Sequence, residues 1–189
     1  MSTPTPPSKL LLRRAVVTDV PAMGAIINDA AELGLMLHKS PAKLYENLRE
    51  FHVFEDTATQ TVVAVGGLSI IWANLGEVVA LAVASTHRGQ GLGQQLVKAC
   101  VQEARVLGIR QVMCLTYEQP FFERLGFTVV DRQNLPLKVW ADCVHCPKNE
   151  ACDEIAMVYI HQDIPDAALP APAPGPMSLP ILVSNKKRN

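Results

Sequence analysis

One hexapeptide constrains this chain more than any other feature. Arg88-Gly89-Gln90-Gly91-Leu92-Gly93 stands between an apolar run at 77–84 and a segment in which Leu92, Leu96, Cys100, Ala104 and Leu107 recur at helical spacing. The run is short and bounded by turn residues, as expected of a central strand covered on both faces. The spacing predicts a helix that Gly108 is placed to end. A helix start leaves backbone N–H groups unpaired and carries partial positive charge, so glycines there let amides close around a phosphate. Gly89, Gly91 and Gly93 meet that need, and Arg88 adds a fixed cation that a plain strand-to-helix turn would not require. A dinucleotide fingerprint would open the first strand-helix unit and be followed by an acidic residue on the next strand; here none occurs until Glu118. The Gly-Lys-Ser/Thr ending of a nucleoside triphosphate loop is also missing.

Around the loop, strands and helices alternate. Residues 10–16 read as a first strand, and Thr18-Asp19-Val20-Pro21 offers a capping side chain beside a proline suited to a first helical turn, with a helix through Ala30. Ser40-Pro41 repeats the start signal and predicts a second helix over 41–49, after a loop at 32–39. Strands are expected at 51–55, 61–72, 110–117, 127–130 and 154–160, with a short helix through Phe122 and Leu125 closed by Gly126. Gly66-Gly67 marks a bulge or a close backbone approach. The proline-rich residues 1–8 and 165–189 lack periodicity and read as disordered tails around one domain at 9–164, with a cysteine-bearing insert at 136–153.

Composition narrows the partners. With 17 Lys and Arg against 18 Asp and Glu, the chain has no general field to gather nucleic acid or anionic lipid, which leaves small molecules or proteins. No segment approaches the roughly 20 apolar residues that cross a bilayer, and the first residues lack a secretory pattern, so a cytoplasmic location is expected. Five cysteines, an odd number, suit reduced thiols.

The hexapeptide resembles the Q/R-x-x-G-x-G/A signature of the GNAT N-acetyltransferases, and the element order resembles that family from Leu10 to Ile160. The resemblance implies an α/β fold with a mixed sheet whose central strands splay into a V. It further implies that the loop (Arg88, Gly89, Gln90, Gly91, Leu92, Gly93) binds the acetyl-CoA pyrophosphate, while Leu81, Ala82 and Val83 pair with the pantetheine arm. Phe121-Phe122-Glu123-Arg124-Leu125-Gly126-Phe127 looks like the later helix and strand of the family, with Phe122 beside the cofactor. A narrower resemblance, to the short bacterial N-acetylglutamate synthases, is carried by Leu115-Thr116-Tyr117, Lys138-Val139-Trp140-Ala141-Asp142-Cys143, Cys146-Pro147 and Cys152-Asp153-Glu154. It implies L-glutamate as acceptor and a place in arginine biosynthesis.

Acetyl transfer to an amine needs a base, a donor to the thioester carbonyl and an acid for the leaving thiolate. By two-residue alternation Glu77 shares a face with Val79, Leu81 and Val83, so it is the candidate base, although it equally suits a strand-end cap. The resemblance implies a backbone N–H near Val83 as the carbonyl donor. The family's usual acid is a tyrosine where this chain has Phe122, and Tyr117 is the substitute candidate. For a dicarboxylate acceptor, Lys39 and Lys138, the latter beside Trp140, are the candidate cations, with Arg14 in reserve.

Cys143, Cys146 and Cys152, with His145 between them and His161 beyond, fit a structural Cys3His zinc site or packed and redox-active thiols; Cys100 and Cys114 read as core. Three functions stay open: an acetylglutamate-forming enzyme, the same fold acting on another small amine, amino acid or peptide amine, and a non-catalytic CoA-binding or metal-bearing module. A homodimer is compatible with each.

Overall fold

A computed structural model describes residues 9–132, 135 and 153–166. The tails and nearly all of the cysteine insert fall outside those residues. The described strands are β1 (Leu10–Arg14), β2 (Phe51–Asp56), β3 (Thr61–Trp72), β4 (Leu75–Val83), β5 (Gln111–Thr116), β6 (Thr128–Val129) and β7 (Ile155–Ile160). They form one sheet in the order β1-β2-β3-β4-β5-β7-β6. Every neighbouring pair is antiparallel except β4 and β5, which the crossover helix α3 (Leu92–Val106) forces to run parallel.

Helices cover both faces. On one, Val20, Met23 and Ile27 of α1 (Val20–Glu32) and Leu44 of α2 (Pro41–Glu46) pack on Phe51, Val53, Val65 and Ala82. On the other, Val97, Cys100 and Ala104 of α3 and Phe122 of α4 (Gln119–Glu123) pack on Leu68, Val78, Val112, Cys114 and Met157. Fully burying each large apolar side chain contributes roughly 1.5–3 kcal/mol, so these two layers hold the fold.

Local chemistry explains most boundaries. Ser40 accepts the Lys43 amide at 3.2 Å and Pro41 opens α2, as the sequence predicts. That helix stops at Glu46 rather than Arg49; Asn47 leaves helical geometry and a separate 3-10 turn spans Leu48–Glu50. Asp19 stands at the N-cap of α1 but makes no side-chain cap bond. Its carboxylate instead accepts from the Val16 amide at 2.7 Å and from Nη1 and Nη2 of Arg13, at 2.6 and 2.9 Å. Burial opposes ionisation there, yet Arg13 and the amide outweigh it and hold the carboxyl below its usual range.

The central strands depart from simple alternation. Val65 pairs with Ala82 but Gly67 with Val79, so β4 takes one residue more than β3 over the same stretch. Ala80 occupies the left-handed region at φ 51°, where a β-carbon is strained. The extra residue swaps the faces: Val79 packs with α1 and α2, whereas Leu81 and Val83 pack on the α3 side. Glu77 therefore shares a face with Val79 but not with Leu81 or Val83, correcting the alternation expected from sequence. The glycine pair lies opposite, and a Cβ at Gly67 would sit 2.8 Å from the Phe51 ring and 3.1 Å from the Glu50 carbonyl.

Candidate functional site: a cleft between two diverging strands

The parallel ladder between β4 and β5 has three pairs, ending at Glu77 and Met113. Beyond that point the strands separate, and Val78, the residues from Ala80 to Val83 and those from Cys114 to Glu118 line one cavity of about 600 Å³. This is the V-shaped splay. A strand edge inside a sheet without a neighbouring strand offers its N–H and C=O groups to an extended ligand, as β-augmentation does.

The glycine loop closes one end. Gly91 is the N-cap of α3 at φ 76° and Gly89 has φ 78°; among the described residues, nothing beyond the adjoining residues comes within 4 Å of a Cβ placed on either. That open space faces a 15-residue helix start whose first amides have no side-chain cap. Gly93 packs differently: its Cβ position is 3.5 Å from Phe121 of α4. Arg88 donates from Nε to the Val83 carbonyl at 3.3 Å, tying the loop to the end of β4. Leu92 is buried in the core under the loop, so it anchors the helix start rather than lining the cavity, and Gln90 is exposed.

Leu81, Ala82, Val83, Arg88, Gly89, Gly93, Tyr117 and Phe122 all border the cavity. Phe122 is buried and edge-on to Phe121 and Phe127, so this position supplies an apolar wall and no hydroxyl. Glu77 stands at the last pair of the ladder, where the strands part. Leu35 and Met36, before α2, border the far end, but Lys39 does not; its backbone is clamped by the Asn28 side chain at 3.0 and 3.3 Å. Lys138 and Trp140 lie outside the described residues. Arg14 is drawn away to the α3 face, where it pairs with Glu103 and donates to the Arg49 carbonyl, so it is removed as an acceptor cation.

Among the lining residues to which sequence reasoning gave no site role are Ala80, Arg124 and Glu154. The bulge needed the β3–β4 register to be seen, and the other two are brought in by α4 and by the start of β7. Cys114 also borders the cavity, but burial, reinforced by the fields of Glu77 and Glu154, keeps its thiol well above the ordinary range. It is no nucleophile at neutral pH. Cys100 is likewise buried, its thiol pushed up to about 12.

Cys143, Cys146 and Cys152 fall outside the described residues, among which no group of three or more metal-ligating side chains occurs. His161 does not suit a fourth ligand: its ring is buried and its Nε2 is 3.1 Å from the Val101 carbonyl. No described helix is long and apolar enough to cross a membrane.

Comparison with known proteins agrees with this geometry. Residues 26–127 match the family model for acetyltransferases of the GNAT type. The chain is 37% identical to an amino-acid acetyltransferase of Mycobacterium tuberculosis over 82% of this chain and 88% of that protein. A Mycobacterium tuberculosis structure solved in complex with CoA superposes with a TM-score of 0.70 at 29% identity, covering 80% of this chain and 99% of that one. The N-acetylglutamate synthase of Neisseria gonorrhoeae, solved with coenzyme A and N-acetyl-glutamate, gives a TM-score of 0.72 at 24% identity, covering 82% of this chain and 36% of that one.

Proposed function

The chain belongs to the acetyltransferase (GNAT) family and is an acetyl-CoA-dependent acyltransferase; from that premise we propose that it acetylates the α-amine of L-glutamate. The observation that carries this reading is the 37% identity to an amino-acid acetyltransferase across most of both chains. The Neisseria gonorrhoeae fold neighbour, solved with N-acetyl-glutamate, supports the choice of acid. On this reading the protein supplies arginine biosynthesis in the cytoplasm, as an acetylglutamate-forming enzyme.

The cleft supports the following roles. Amides of the loop at Gly89, Gln90, Gly91, Leu92 and Gly93, with Arg88, hold the diphosphate, and the open edge of β4 at Leu81, Ala82 and Val83 pairs with the pantetheine arm. The thioester carbonyl then lies along the open edge of β4, with a backbone N–H near Val83 as its donor. Glu77 takes a proton from the acceptor ammonium. The neutral amine forms its bond to the acetyl carbon, the carbon–sulfur bond breaks, Tyr117 gives its proton to the thiolate, and the proton that the nitrogen sheds on becoming an amide restores Tyr117. Lys138, with Trp140 as an apolar wall, holds the acceptor carboxylates, whereas Lys39, which stands off the cavity, is not assigned to them.

A second acceptor class has one observation in its favour. Among the described residues the cationic side chains on the cavity are Arg88 and Arg124, and Lys39 stands off it, which suits a small amine with fewer carboxylates. Thiol release from acetyl-CoA over a panel of free amino acids separates the two. L-Glutamate should exceed aspartate, glutamine and lysine by at least about tenfold in kcat/KM, the discrimination of one well-placed charge pair. Equal rates across the panel would discard glutamate and leave the acetyltransferase.

A further inference from the structure

We infer that Arg124 is the recognition site for the 3'-phosphate of the donor, so that the enzyme discriminates coenzyme A thioesters from their dephospho forms. The inference rests on acetyl-CoA as donor and is independent of which amine accepts. Coenzyme A brings two phosphate groupings: a diphosphate, and a 3'-phosphomonoester carrying close to two negative charges at neutral pH, like other phosphate monoesters of second pKa near 6. The loop accounts for the first. Its amides and the α3 start face open space at Gly89 and Gly91, and Arg88 is held beside them by the Val83 carbonyl.

The second grouping needs a cation of its own, and Arg124 is the other cationic side chain on the cavity among the described residues. It is exposed, at the C-cap of α4. No hydrogen bond or ion pair within the described residues engages its guanidinium, in contrast to Arg13, Arg14, Arg105 and Arg110, each of which meets a carboxylate. An arginine left unpaired at a cavity rim keeps its planar fork for a ligand, and phosphate fits that fork in a bidentate manner.

Its element decides between donor and acceptor. Phe121, three residues earlier and so on the same side of the helical turn, lies 3.5 Å from the Cβ position of Gly93 in the loop. Phe122 packs into the core on the α3 side of the sheet. Arg124 thus approaches the cavity from the loop side, opposite the α1 and α2 side where Met36 and Val79 pack. At the exposed rim beyond the loop, it meets the solvent end of the donor, where the ribose phosphate is carried.

The test compares acetyl-CoA with acetyl-dephospho-CoA in steady-state thiol release by the full chain and by Arg124→Gln and Arg124→Lys, with thermal melting as a check on folding. The wild type should show a KM for acetyl-CoA lower by about tenfold, the worth of one charge-assisted contact. Arg124→Gln should raise that KM by a similar factor, leave the KM for the dephospho donor and kcat unchanged, and so erase the preference. Arg124→Lys should restore part of it. Equal weakening of both donors would assign Arg124 to the diphosphate, an effect on the acceptor KM alone would assign it to the acceptor, and a preference retained in Arg124→Gln would remove its role; each overturns the inference.

Discussion

At the scale of single residues, the chemistry divides between groups that local pattern identifies and groups that need the third dimension. Glu77 stands out in sequence as a carboxylate on an otherwise apolar strand, and it sits where β4 and β5 part. Glu77→Gln keeps the shape and removes the base. It should leave acetyl-CoA binding intact and lower kcat at neutral pH by about 10²–10⁴, the usual share of a positioned acid or base, measured by thiol release beside calorimetric titration of the donor. An unchanged kcat would move the base elsewhere. Arg14 misled as an acceptor candidate because nothing local says which face of an edge strand it serves; its partner Glu103 is 89 residues away. Arg124 and Glu154 carried no site role in the sequence for the same reason, being ordinary surface charges until α4 and the start of β7 bring them to one cleft.

At the scale of elements, glycines and prolines spoke clearly. Ser40-Pro41 starts α2, Gly108 and Gly126 both adopt positive φ after the helices they close, and β3 runs from Thr61 to Trp72, the bounds expected from sequence. Hydrophobic period failed where a backbone irregularity intervened. Nothing in the apolar stretch of β4 marks Ala80 as the residue that turns left-handed and swaps the face of the strand, because any small side chain reads alike there. The opposing Gly67 did carry a signal. Its Cβ space is taken by Phe51 and by backbone at Glu50, so Gly67→Val should destabilise the protein by about 2–3 kcal/mol through overpacking, read as a lower denaturant midpoint at unchanged m. A midpoint equal to wild type would mean that β2 and β3 do not approach so closely at that position.

At the scale of the whole molecule, the sheet performs the task by a defect. Three parallel pairs join β4 to β5, and the divergence beyond them makes a slot that the glycine loop closes from one side and the α1 to α2 segment from the other. The loop was legible from its glycines and its position between strand and helix; the slot was known only through resemblance, because strand divergence leaves no mark on composition or spacing. The acceptor end was least legible, since its candidate cations come from distant segments and Lys138 and Trp140 lie outside the described residues. The central claim is that amides at the opening of α3 hold the donor diphosphate. Calorimetric titration of acetyl-CoA into wild type and into Gly91→Trp, with circular dichroism to verify the fold, tests it most directly. Binding should be saturable in the wild type and abolished in the folded variant, whose indole would fill the open space at Gly91; equal affinity in the two would contradict the account.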